Sequence, residues 1–76
     1  MARPLSEVAR EIQSDWKSVY FGAAPYLEPM ATLDSVADKY GADEGSSIVA
    51  YFLANAQTWR GEVARRVKKE LNSLLR

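Results

Sequence analysis

The sequence predicts an all-α fold, a compact bundle of about four short helices with an aromatic Gly/Pro elbow between the first and the second. Three observations predict it. Apolar residues recur at spacings of three and four along successive stretches, glycine and proline separate those stretches, and nothing reads convincingly as a strand. With 76 residues the chain fits a single helical domain over 1–76. A domain this small buries only about 60% of its unfolded surface, so every large side chain counts.

The first helix is expected from Leu5, Val8, Ala9, Ile12, Trp16 and Val19, which form one apolar stripe, with Gly22 ending it or its continuation. Pro29 suits the first position of the second helix, and Gly41 suits the position just past its end. Between them Met30, Leu33, Ala37 and Tyr40 mark an inward face. Asp43 is a good N-cap for the third helix, whose Ile48, Val49, Tyr51, Phe52, Leu53 and Ala56 cover most of its circumference. A short helix apolar nearly all round is expected at the centre of the bundle. The fourth is expected from a cap near Thr58, with Val63, Ala64, Val67, Leu71, Leu74 and Leu75 inward and Arg65 and Lys69 outward. Glu62 and Arg66 stand at the i,i+4 spacing of a favourable pair.

The elbow, "VYFGAAPYLEPM", is held away from long helix by Pro25 and Pro29, with room for one helical turn from Pro25. Val19, Tyr20, Phe21, Tyr26 and Leu27 are too many large side chains to leave in water. The expectation is a plug that closes one end of the bundle with Trp16 and Trp59. A mixed arrangement would turn Phe21 and Leu27 inward and leave Tyr20 or Tyr26 at the surface, where an aromatic grips a protein partner.

Composition narrows the function classes. No cysteine and no histidine occur, which removes thiolate and imidazole chemistry and the commonest soft metal ligands together. Asp34, Asp38, Asp43 and Glu44 do not follow calcium-loop spacing. No catalytic residue, metal or cofactor is therefore expected. The "LDSV" at residues 33–36 resembles the acceptor-serine site of acyl carrier proteins, with Ser35 as the serine. The long acidic helix that should follow is missing, so this reading is set aside. The longest apolar run, "IVAYFLANA", is too short to span a bilayer, which takes about 20 residues. "MARPLSEV" lacks a signal-peptide core, and a cytoplasmic protein is expected.

Net charge is zero, but residues 58–76 hold six basic and two acidic side chains and carry +4. A basic last helix on an acidic body opens a nucleic-acid reading. There Arg60 would approach bases while Arg65, Arg66, Lys68 and Lys69 hold phosphates, in a helix-turn-helix-like arrangement. Against it stand the zero net charge, Glu62 at the end that should enter the groove, and Gly61 placed inside the helix rather than in the turn. The preferred reading is a protein-interaction module, with Tyr20, Tyr26, Trp59 and Arg60 as candidate contacts and a host factor or a second copy (a homodimer) as partner. In "TWRGE" the rival role for Trp59 is to seal the core.

Together "VYFGAAPYLEPM", "LDSVADKYG" and "IVAYFLANAQTWRGEVARRVKKEL" resemble a group of small proteins encoded by bacteriophages and integrative mobile elements of Gram-positive bacteria, including actinobacteria. The resemblance implies an accessory protein acting in a bacterial cytoplasm, on a host factor or on the element's own machinery. It carries no site residues with it.

Overall fold

The computed structural model describes residues 3–75. In chain order these form α1 (Leu5–Asp15), α2 (Ala24–Met30), β1 (Lys39–Tyr40), β2 (Asp43–Glu44), α3 (Gly45–Ala54) and α4 (Glu62–Leu74). The fold is mostly helical, as expected. The one departure in class is a two-stranded antiparallel ladder that pairs Lys39 with Glu44 and Tyr40 with Asp43. Gly41, at φ 63°, makes its tight turn possible.

The helices pack as their apolar stripes require. Leu5, Val8, Ala9 and Ile12 of α1 and Ala64, Val67 and Leu71 of α4 meet Leu27 and Met30 of α2 and Ile48, Val49 and Phe52 of α3 in one buried cluster. Helix α3 touches α2, α4 and β2, and so holds the central place its composition predicts. Trp16 and Trp59 stack at 5.8 Å, and Phe52 meets each of them edge-on at 6.3 and 6.4 Å. Each such pair contributes about 0.5–1.5 kcal/mol beyond its buried area. This knot closes the end of the bundle where α1 leaves and α4 has yet to begin.

Helix α2 lies earlier than expected. Either proline could open a helix, and the structure uses Pro25 near the N-terminus while Pro29 sits inside the last turn. Pro29 has no N–H to continue the ladder, and the helix ends one residue later. Thr32 then closes it, its N–H and hydroxyl both donating to the Pro29 carbonyl.

Residues 31–38 form turns because local side chains compete for the backbone. The Asp38 carboxylate accepts from the Asp34 and Ser35 N–H groups, and Ser35 Oγ accepts from Ala37 N–H. Leu33 stays buried, whereas Ala37 and Tyr40 are exposed.

That loop caps two helices at once. The Leu5 and Ser6 N–H groups at the start of α1 donate to the carbonyls of Asp34 and Leu33. The Gly45 and Ser46 N–H groups at the start of α3 donate to those of Asp38 and Val36. Asp43 is therefore not the N-cap: it lies in β2, and Glu44 takes the cap position without a side-chain bond. Orphan donors that a capping side chain would satisfy are satisfied here by a neighbouring backbone.

Helix α4 begins at Glu62 rather than near Thr58, and Gly61 precedes it at φ 114°, ψ −178°. Gly61 thus belongs to the turn, not to the helix. Arg66 pairs with Glu11 of α1 instead of Glu62. Arg3 joins the same network, bidentate to Glu70 at 2.6 and 3.0 Å and 2.8 Å from Glu11. No helix of the described residues is long and apolar enough to cross a membrane.

Candidate functional site

The exposed large hydrophobic side chains of the described residues are all aromatic: Tyr20 at 42%, Phe21 at 80%, Tyr40 at 44% and Tyr51 at 57%. Three local features put them outside. The chain leaves α1 at Asp15, so the elbow runs beyond the α1 stripe and Tyr20 and Phe21 pack on each other at 4.8 Å. The ladder turns Tyr40 and Asp43 to one side and Lys39 and Glu44 to the other, because strand side chains alternate. Tyr51 belongs to a stripe of α3 with Ser47 and, past its end, Asn55, spaced by four and flanking the buried line of Ile48 and Phe52.

Two clefts open along that stripe. The first, about 370 Å³, lies between α2, the ladder and α3; Tyr26, Tyr40 and Tyr51 line it with Glu28 and Asp43, over a floor of Pro25, Pro29 and Ile48. Tyr26 and Tyr51 of this lining stack on each other at 5.7 Å. The second, also about 370 Å³ and more open, lies between Tyr20 and the α3 exit at Ala54, Asn55, Gln57 and Thr58. The Asn55 amide, in the lining of the second, donates to the carbonyl of Tyr51, in the lining of the first.

The candidate residues divide clearly. Tyr20 is exposed and Tyr26 half-buried, and both border these clefts. Trp59 is no surface contact. It is 2% exposed, stacked on Trp16, and its indole N–H donates to Asp15 at 2.8 Å, so it seals the core. Arg60 next to it is exposed. The elbow is not the plug expected: Tyr20 and Phe21 lie outside, and only Leu27 of its expected plug residues is fully buried. Phe21, inward in the mixed arrangement too, is the most exposed aromatic. Tyr40, expected on an inward face, and Tyr51, expected within the apolar circumference of the central helix, line the first cleft instead. The signal for Tyr51 was the polar spacing Ser47–Tyr51–Asn55; for Tyr40 it was the adjoining turn glycine, Gly41.

The basic residues of α4 are not equivalent. Arg65 and Lys69 are exposed on one face, at i,i+4 spacing. Arg66 is also exposed but its guanidinium is engaged by Glu11. The Lys68 ammonium donates to the Trp59 carbonyl at 2.6 Å and lies 5.9 Å from the Trp59 ring centroid. Burial, with the charge of Arg60 second, pushes Lys68 below the ordinary lysine range. Gly61 in the turn removes one objection to a helix-turn-helix, but the link from Asn55 to Gly61 is long for that motif, which uses about 3–4 residues. Ser35 lies in a turn rather than at the start of a helix. No group of three acidic side chains is gathered as a metal site among the described residues.

No protein-family model, curated protein or solved structure matches this chain.

Proposed function

We propose that this is a small non-enzymatic protein that binds another protein through the aromatic face built from the elbow, the ladder and the outer stripe of α3. The observation that carries the reading is Phe21, four-fifths exposed and packed on Tyr20 at the tip of the elbow. A domain with so little core leaves a phenylalanine in water only at a cost, since burying such a side chain is worth about 1.5–3 kcal/mol. Rigid aromatic rings bring contact area with little rotamer entropy to lose, the composition that dominates binding energy at interfaces. The resemblance to phage and mobile-element proteins suggests the setting, a bacterial cytoplasm with a host factor or a second copy as partner.

The test is capture by the tagged chain from bacterial lysate with and without nuclease, read by mass spectrometry against two variant pairs. A protein lost from F21A and Y51A but kept by R65E/K69E supports the reading. Capture that survives F21A and Y51A, or that requires nucleic acid, overturns it. In the second outcome the basic face of α4 becomes the binding surface.

A further inference from the structure

The first cleft has a charge that selects its occupant. Its two ionisable carboxylates, Glu28 and Asp43, have no ion-pair partner among the described residues. Between Ser18 and Trp59 the chain holds five acidic residues and one basic residue, Lys39. The ladder register turns that lysine away: Lys39 shares a face with Glu44, while Tyr40 and Asp43 face the cleft. No cation of the described residues lines this space.

The walls are three tyrosines, two of them stacked, above two proline rings. Tyrosine faces attract a cation through the negative charge over the ring, and a guanidinium can both stack on such a face and bond a carboxylate through its planar fork. An ammonium offers only a point charge and holds its water more tightly. The volume, about 370 Å³, is at the lower end of the range for ligand clefts and suits a few side chains of an extended segment.

We infer that the cleft between Tyr26, Tyr40 and Tyr51 receives an arginine side chain of a partner protein, stacked on the tyrosines and paired with Glu28 or Asp43. This rests on the protein-binding reading above and names the chemistry of the partner at one of its two clefts.

The probe is an acetylated, amidated proline–arginine–proline tripeptide, which keeps the arginine on extended backbone. It is titrated into the full chain, labelled with ¹⁵N, beside its citrulline isostere, which has the same shape without the charge. The expected result is saturable shifts confined to residues 26–28, 40–43 and 47–51. Affinity should fall about tenfold for citrulline, the equivalent of about 1.4 kcal/mol, and by a similar factor in E28Q/D43N and in Y51A, with thermal unfolding unchanged in these variants. Equal binding of both peptides, no saturable shift, or shifts in the same residues on raising the protein concentration alone would overturn the inference. Shifts at Tyr20 and Phe21 instead would also overturn it while leaving the protein-binding reading standing. Failure of the lysate capture, by contrast, would remove that reading itself.

Discussion

The indole rings of Trp16 and Trp59 lie 5.8 Å apart and within 11° of parallel, one from the end of α1 and the other from the approach to α4. Asp15 accepts the Trp59 N–H, and Lys68 donates to the Trp59 carbonyl. A single residue thus ties the α1 exit to the second turn of α4.

W59A should cost about 3–5 kcal/mol, the usual range for emptying a buried tryptophan site. A chain of this length has about 4–11 kcal/mol in total, so the variant should be at the edge of unfolding at room temperature. W59F keeps most of the packing but loses the bond to Asp15 and should fall between W59A and the parent. Urea unfolding followed by circular dichroism orders the three. A W59A variant as stable as the parent would place this residue outside the core.

The bundle was legible because its stripes are. Leu5, Val8, Ala9 and Ile12 in α1, and Ala64, Val67 and Leu71 in α4, fall where a period of 3.6 puts them. What periodicity could not resolve was the choice between two prolines four residues apart, each able to start a helix. It also could not show that Asp38 and Ser35 would take backbone donors and break the Met30–Leu33–Ala37–Tyr40 pattern into turns. Tyr40 and Tyr51 were lost to the site for a related reason. Tyrosine counts as apolar in a stripe, yet its polar tip tolerates water as readily as burial.

Gly45 stands where the shared loop crosses the start of α3. A Cβ there would lie 2.9 Å from the Ser35 carbonyl oxygen, 3.0 Å from Val36 Cα and 3.1 Å from the Asp38 oxygen, all backbone atoms. G45A should therefore cost about 1–3 kcal/mol by overpacking. The loop must shift, and it caps α1 as well as α3. Hydrogen exchange should accordingly speed up together at Ser46 and at Leu5 and Ser6, although α1 is untouched in sequence. Loss of protection at Ser46 alone would mean that the two caps are independent.

Gly61 poses a purely backbone constraint. A side chain there would meet nothing within 4 Å, but φ of 114° with ψ near −178° is a region that only glycine occupies readily. G61A should cost about 1–3 kcal/mol with no change in packing, and G61N should cost as much, since asparagine is favoured only in the left-handed helical region. Denaturant unfolding checks both. An asparagine that restores stability would show that the turn relaxes to a left-handed helical conformation.

Glu11 sits between Arg66 and Arg3 and is held below the ordinary carboxylate value of 4.5, by Arg66 first and in spite of partial burial. Its folded-state pKa is the lower one, so the stabilisation is complete above the unfolded value and is lost as pH falls through the folded one. E11Q should cost about 1 kcal/mol at pH 7, the upper end for a partly exposed pair. The gap between parent and E11Q should close on acidification below 4.5. It should also shrink in high salt, because the network is accessible to ions. A gap constant from pH 7 to pH 3 would show that the glutamate acts by packing rather than by charge.

The basic face of α4 makes a quantitative prediction about nucleic acid. Each phosphate neutralised on a duplex contributes about −0.9 to the slope of log affinity against log salt. All five candidate cations acting together would give about −4.5. Arg66 is committed to Glu11 and Lys68 to Trp59, which leaves Arg60, Arg65 and Lys69. Any duplex binding through this face should therefore show a slope no steeper than about −2.7 and be abolished by R65E/K69E. Fluorescence anisotropy of a labelled duplex across a salt series gives the value directly. A slope near the larger figure would require Arg66 and Lys68 to leave their partners. It would couple DNA binding to the junction of α1 with α4, and E11Q, which frees Arg66, should then tighten the complex.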